Sequence, residues 1–437
     1  MRRDLAMSVL AFFLVPLAAG AQGAAATCAP DNAGLKLPPG FCAGLFADSI
    51  RGARQLVIAP NGDVFVALQG RGTTGVVALR DAGNTGRATM HEQFASGFSA
   101  SHVVLFDGHL YTDARTGGAR GGPPATVAIL RYPLKPGELT PSGSPDTIVS
   151  GIPGSPDHFT RNFVIARDGA MYVNVGSQTN ACQENNRVKG SPGKNPCTEL
   201  DTRAGIWKFD ARAKGQTQTK AVHFARGIRN AVGIAISPLD GRLWTTQHGR
   251  DQLGGQGGNW DFDDRYNSEN PAEELMQVNQ GDDFGWPYCY YSSDLHKLVL
   301  APEYGGDGKK VEQCAQKKEP VAAFPGHWAP NALLFYAGSM LPARYKNGAF
   351  IAFHGSWNRT EGPQGGFNIV FQPLKDGKAA GAYEVFADGF AQSAGTGRAT
   401  ANSGIHRPAG LAQGPDGSLY VTDDFGGRIY RIVYTGK

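Results

Sequence analysis

Charge is scarce in this chain of 437 residues. Charged side chains make up 18%, and 42 lysines and arginines against 38 acids leave a net charge of +4. An average soluble domain carries about 25% charged residues. With no long basic run behind the surplus, nucleic-acid binding is excluded. Long apolar runs are also missing: past the first 26 residues nothing approaches about 18 continuous apolar residues, so no membrane span is expected in the mature chain. The six cysteines form no C-x-x-C, which excludes the common zinc spacings, and no C-x-x-C-H, which excludes a covalently attached haem. G-x-S-x-G, H-E-x-x-H and the phosphate-binding G-x-x-x-x-G-K-[ST] are absent as well, so no nucleophile, metalloprotease or nucleotide motif is available. Glycine, by contrast, is abundant: 60 of 437 residues, about twice the usual share, beside 27 prolines and 10% aromatics. Many short strands joined by turns fit that profile. A helical bundle or coiled coil does not, and 41% hydrophobic residues is too many for a disordered chain.

Residues 1–26 read as a signal peptide. Arg2 and Arg3 precede an apolar stretch over residues 7–19, and small residues offer cleavage after Ala21 or Ala26. The stretch is too short to span comfortably as an anchor, and Thr27 before Cys28 argues against lipid attachment there. A periplasmic or secreted protein is expected, with residues 27–437 as one domain. An even cysteine count in an exported chain implies disulfides. Sequential pairing is expected, Cys28–Cys42, Cys182–Cys197 and Cys289–Cys314, because each pair brackets a short loop containing Pro or Gly.

The organisation emerges when the turns are aligned. Six times an apolar run meets a tight turn ending in Gly and then an alternating strand: residues 56–67 (LVIAPNGDVFVA), 103–112, 162–175, 232–246, 334–353 and 410–423 (GLAQGPDGSLYVTD). The turn glycines are Gly62, Gly108, Gly169, Gly241, Gly348 and Gly417, several in the Asn-Gly or Asp-Gly pairs that mark hairpins. A third strand follows most of them. Six irregularly spaced antiparallel meanders predict an all-β, six-bladed β-propeller, with two jelly rolls as the alternative. The long interval between Gly241 and Gly348 predicts an insertion after the fourth blade hairpin, at residues 252–319, and residues 44–50 are expected to close the ring as an outer strand of the last blade.

In a propeller the loops leading into the innermost strands converge near the axis. Here those loops carry Arg54, His102, Asp157-His158 with Arg161, Arg226, Arg229, Asn230, His327, and His406 with Arg407. They predict a shared cationic cavity suited to an anionic ligand. Histidine can take a proton near neutrality, and arginine can hold a carboxylate or a developing oxyanion.

The strings Asp157-His158-Phe159, Gly227-Ile228-Arg229-Asn230, Gln247-His248-Gly249-Arg250, Phe284-Gly285-Trp286-Pro287 and Pro415-Asp416-Gly417 occur in that order. From about Leu37 to the C-terminus the pattern resembles the soluble quinoprotein glucose/sorbosone dehydrogenases, closest to the sorbosone/pyranose branch. The resemblance implies oxidation of an aldose or aldosulose with pyrroloquinoline quinone and calcium, and electron delivery to a separate acceptor, a cytochrome or the quinone pool. By the same resemblance His158 is the general base and Asp157 orients it or touches substrate. Arg229 and Asn230 hold the reacting edge of the cofactor, Arg407 pairs with a cofactor carboxylate, and the carbonyls of Gly249 and Arg250 ligate calcium. The family's cofactor-gripping lysine has no match here; Arg359, in His354-Gly355-Ser356-Trp357-Asn358-Arg359, is the substitute. The family's second arginine near Arg407 is missing, and Trp286, Trp328 and Trp357 stand where a sugar-shaping aromatic pair is not identifiable. The acidic stretch 261–264 reads as a solvated loop, with a second, structural calcium site as the alternative. Two other functions suit a propeller: a non-catalytic binder of an anionic ligand or glycan, and a calcium-dependent lactonase. The latter is disfavoured because Asp157 is the one inward carboxylate these loops offer.

Overall fold

The computed structural model describes residues 28–70, 73–118, 125–155, 157–255, 258–391 and 405–436. The expected signal peptide lies outside the described residues. Six antiparallel meanders, four of them four-stranded and two with a short fifth strand added, stand in a ring, a six-bladed β-propeller. Their innermost strands are Ala53–Ile58, Val103–Phe106, Phe163–Ile165, Ile234–Ile236, Pro330–Leu334 and Pro408–Gln413, for blades 1 to 6. The blade faces are almost wholly apolar: Val64, Phe65, Val66 and Ala67 in blade 1 and Phe350, Ile351, Ala352 and Phe353 in blade 5 are fully buried. Both faces of each blade are covered by neighbours, so these strands read as continuous apolar runs rather than alternating ones.

The turn chemistry holds where a two-strand hairpin is tight. Gly62 and Gly169 take φ of +91° and +93°, a region costly for any residue with a Cβ. Blade 5 departs from the expectation. Its first two strands are joined by a longer connection containing a 3-10 turn at Ala343–Lys346, and Gly348 starts the strand instead of closing a turn.

The ring closes as expected, over slightly different bounds: Phe41–Ala47 pairs antiparallel with the last strand, Arg428–Tyr434. Across the centre, buried Gln55 of blade 1 donates from Nε2 to the carbonyls of Asn331 in blade 5 (2.8 Å) and Ala409 in blade 6 (2.9 Å). The expected single insertion at 252–319 is corrected. The third strand of blade 4, Glu273–Val278, lies in its middle and pairs with Leu243–Gln247. One excursion (248–272) therefore precedes that strand, and a second (279–321), bearing the hairpin Cys289–Ser292/Lys297–Leu300, follows it. The sequence EELMQV hides this strand because its two glutamates, both buried, interrupt the apolar pattern.

The three disulfides are those expected, Cys28–Cys42, Cys182–Cys197 and Cys289–Cys314. Among the described residues no helix is long and apolar enough to cross a membrane.

Candidate active site

One polar cavity, about 230 Å³, opens on the face where the innermost strands begin. Asp157, His158, Arg187, Arg229, Asn230, His248, Gly249, Asp251, Glu273, His327, Ala329, Trp357 and Asn358 line it. All come from blades 3, 4 and 5 and the loops leading into them. A cavity shared by all six blades was expected, and this is corrected. Arg54, with blades 1 and 6, pairs with Asp424 (2.7 Å), which also meets His354 Nε2 (2.8 Å). His406 binds Asp423, and Arg226 pairs with Asp283 on the surface. His102 is half-buried with its ring against Phe163 (5.3 Å), and Arg161 is fully buried. Ion pairs hold Arg54, His406 and Arg226, and backbone carbonyls hold Arg161, away from the cavity.

His158 is buried, and its tautomer follows from its partners. Nδ1 faces the Ser177 carbonyl (2.9 Å) and Ser177 Oγ (2.9 Å). The carbonyl can only accept, and Ser177 Oγ spends its one proton on the Thr179 carbonyl (2.6 Å). The Nδ1 atom therefore carries the ring proton, leaving the Nε2 lone pair with no hydrogen-bond partner among the described residues. Ser155 braces the arrangement, donating to the Ser177 carbonyl (2.9 Å) and accepting from the His158 amide (3.3 Å). Arg161 holds the same loop through the carbonyls of His158, Thr160 and Pro153. Gly176 makes the approach possible, since a Cβ there would sit 2.7 Å from His158 Cβ. Burial, reinforced by the Arg229 charge, pushes the His158 pKa well below 6.5, so the ring is neutral. The expectation that Asp157 orients this imidazole is corrected: Ser177 does so, and Asp157 accepts instead from Arg187 Nε (3.2 Å) and Asn186 Nδ2 (3.4 Å).

Arg229 is anchored on every side. Its Nε donates to the Asn180 carbonyl (3.0 Å), Nη1 to the Gly249 carbonyl (2.8 Å), and Nη2 to Asn180 Oδ1 (2.8 Å) and Asp251 Oδ2 (3.0 Å). Asp251 also accepts from Arg187 Nη2 (3.0 Å) and Asn358 Nδ2 (2.8 Å). Burial alone would raise the Asp251 pKa, but the Arg229 and Arg187 charges outweigh it and hold the carboxylate ionised far below its usual range. Glu273 behaves oppositely. Burial lifts it to about 7, despite hydrogen bonds from the amides of Gly249 (2.9 Å) and Ala329 (3.1 Å). Burial, then Arg229, depresses His248 to about 3. Asn230 Oδ1 is buried and has no hydrogen-bond partner among the described residues.

Of the remaining expected site residues, Gly249 lies in the lining, and the Arg250 side chain turns away into a buried ion pair with Glu303. Arg407 lies outside the cavity, donating to the carbonyls of His354 (3.0 Å) and Gly355. Arg359 also lies outside it, held by the carbonyls of Ser268 (2.7 Å) and Gly326 (3.1 Å) and by Glu269. Trp286 is a packing residue that donates to the Asn180 carbonyl (3.1 Å), Trp328 packs on Phe353, and Trp357 alone of the three faces the cavity.

Arg187, Asp251, Glu273 and Asn358 were not anticipated as site residues. They sit on, or flank, connections between second and third strands, which emerge on the same face as the loops leading into first strands. That topology was a usable signal. Asp251 and Glu273 also remove the argument that inward carboxylates are too few for a metal hydrolase, although among the described residues no cluster of three metal-ligating side chains forms.

A family model described as TrAA12-like matches residues 35–435. The chain belongs to the TrAA12-like family. Among curated relatives, it is 24% identical over 231 residues to a pyrroloquinoline quinone-dependent sugar dehydrogenase of Hypocrea jecorina, and the match covers 48% of this chain and 49% of that protein. The chain thus spans about half the length of that relative. Among solved structures, the iodide and calcium structures of a carbohydrate-active enzyme of family AA12 from Trichoderma reesei superpose with TM-scores of 0.73 and 0.72 at 19% identity, covering 94% and 95% of this chain and 99% of theirs. The holo form of the quinone domain of a pyranose dehydrogenase from Coprinopsis cinerea gives 0.69 at 21% identity, covering 91% of this chain and 97% of that one. Likeness at this identity establishes the fold of the TrAA12-like chain.

Proposed function

We propose that the protein is an exported, quinone-dependent sugar oxidoreductase in which His158 is the general base. The observation that carries this reading is the free Nε2 of a neutral, tautomer-locked imidazole at a cavity that also holds Arg229 and Asn230. The donor chemistry suits pyrroloquinoline quinone. Arg229 and Arg187 bring positive charge to an anionic group, and the unsatisfied Asn230 Oδ1 marks a polar partner still to be supplied. Calcium suits the hard oxygen donors nearby. The Gly249 carbonyl has one lone pair beyond its bond to Arg229, and the Arg250 carbonyl accepts no bond among the described residues. The quinone, when bound, supplies two-electron acceptor chemistry, with calcium as its Lewis acid.

In this reading Arg229 and Asn230 would hold the reacting edge of the cofactor, and Arg407, which lies outside the cavity, would pair with one of its carboxylates. Arg359, outside the cavity and bonded to the Ser268 and Gly326 carbonyls and Glu269, holds its own loop instead. His158 takes the proton of the sugar hydroxyl at Nε2, while Nδ1–H stays on the Ser177 carbonyl and steadies the imidazolium. Electrons leave to a separate acceptor. Export rests on Arg2, Arg3 and the apolar stretch 7–19.

The test is reconstitution of the purified protein with pyrroloquinoline quinone and calcium, following dye reduction across a panel of aldoses including sorbosone. Calcium-dependent turnover is expected, and His158→Ala should lower it by at least about a hundredfold. Quinone binding without turnover on any sugar would favour a non-catalytic propeller, and failure to bind the quinone would remove the cofactor assignment.

A further inference from the structure

Arginines gather beside the loop that carries His158, between blades 2 and 3. Arg161 Nη2 donates to the Pro153 carbonyl (2.6 Å), and Arg203 Nη2 donates to the next one, Gly154 (2.8 Å). Arg115, near the end of the second strand of blade 2 (His109–Thr116), lies over the Phe159 ring at 5.6 Å. The three feel one another. Burial, then the charges of Arg203 and Arg115, pulls the Arg161 pKa down to about 9, with Asp113 opposing. Asp113 does not pair with any of them: its carboxylate is spent on the amides of Ser101 (2.8 Å) and His102 (2.7 Å) and on the Ser101 hydroxyl (2.7 Å). Each arginine also keeps a buried nitrogen with no hydrogen-bond partner among the described residues: Arg115 Nε, Arg161 Nε and Arg203 Nη1. Arg161 is fully buried, and the acceptors it has are backbone carbonyls. Carbonyls satisfy hydrogen bonds but leave the net charge in place, and a buried cation without a counter-charge is costly.

We propose that Arg115, Arg161 and Arg203 form a binding site for a small oxyanion (sulfate, phosphate or a carboxylate), separate from the cavity at Arg229. Such an anion supplies the missing counter-charge and several acceptor lone pairs at once, and a guanidinium fork matches its geometry. Arg115 and Arg203 are half-buried, so the anion enters from the surface between the two blades and meets Arg161 at the inner end. Arg161 Nη1 also donates to the carbonyls of His158 (2.7 Å) and Thr160 (2.8 Å). The bound anion therefore fixes the side chain that braces the His158 loop. The site does not depend on the sugar-oxidoreductase reading.

The experiment titrates wild type, Arg115→Gln, Arg203→Gln and the double variant with sulfate, phosphate and acetate in turn. Melting temperature is read against chloride at equal ionic strength. The substituted side chains are half-buried, so the variants should fold, and circular dichroism checks that they do. For wild type a saturable rise is expected with at least one oxyanion, and the order of the three identifies the preferred class. The double variant should raise the apparent Kd by about tenfold or more, and each single variant by less. The response should persist in protein loaded with pyrroloquinoline quinone and calcium, because Arg161 stands outside the cavity lining. A crystal soaked in selenate should show an anomalous peak within hydrogen-bond distance of Arg161. A rise no greater than chloride gives, or an undiminished response in the double variant, would overturn the proposal. So would a response abolished by quinone loading, which would place the anion in the Arg229 cavity, or a water where the selenate should be. Each of these failures leaves the reading of His158 as base untouched.

Discussion

At the scale of single residues, the site is governed by charges placed where water cannot screen them. His158 is neutral because burial and the Arg229 charge both oppose its protonation. Its folded pKa lies below the ordinary value, so the base is available above that depressed pKa and is lost only as pH falls through it. The acid limb of kcat/KM is therefore expected below about pH 6.5. A pH profile with its acid limb centred at or above that value would contradict a buried neutral base. Asp251 carries a second expectation. It is the carboxylate between Arg229 and Arg187, and Asp251→Asn leaves two cations facing an amide. A loss of about 2–4 kcal/mol in denaturant unfolding at neutral pH is expected. Because its folded pKa is depressed, the stabilisation is present above the unfolded carboxylate pKa and disappears as pH falls below about 4. Wild type should accordingly lose stability on acidification more steeply than Asp251→Asn, and parallel curves would show that the pair does not carry the effect.

At the scale of elements, the cavity wall is made of loops held by cross-links rather than by regular structure. The segment from Cys182 to Cys197 carries Arg187 into the lining, and Asn180 just before it binds Arg229 through both its backbone and its side chain. The bridge spans 15 residues of separation, a loop whose closure is worth about 3 kcal/mol in the unfolded chain. Replacing both cysteines with serine should lower stability by about that amount and loosen Arg187 from Asp157 and Asp251. Thermal unfolding of the double variant beside wild type checks the first part. Unchanged resistance of the 182–197 segment to proteolysis would contradict the second.

At the scale of the whole molecule, closure of the ring joins the two ends of the described chain. Phe41–Ala47 pairs along the last strand from Phe41↔Tyr434 to Ala47↔Ile429, and Cys28–Cys42 secures it. Removing residues 28–47 exposes the edge of Arg428–Tyr434, an open template for intermolecular pairing. Aggregation in size-exclusion chromatography and loss of a cooperative thermal transition are expected; a monomeric truncation melting like wild type would show that closure is dispensable. The architecture was legible in the sequence because five of the six hairpins are local: an apolar run, a turn glycine and an alternating strand fall within about fifteen residues, blade 5 being the exception. Disulfide partners were legible for the same reason. His158, Arg229 and Asn230 could be picked out because they hold equivalent places before first strands. Glu273–Val278 was not, because its glutamates are tolerated in the core only through partners far along the chain: the Gly249 and Ala329 amides for Glu273, Gln247 for Glu274. Which polar residues share the cavity was decided by the tertiary structure alone. Local pattern reports which way a side chain leaves its strand. The meeting of Arg187, Asp251 and Asn358 around Arg229, and the diversion of Arg54, Arg161 and Arg407 to carbonyls and acids elsewhere, depend on how six blades pack round an axis.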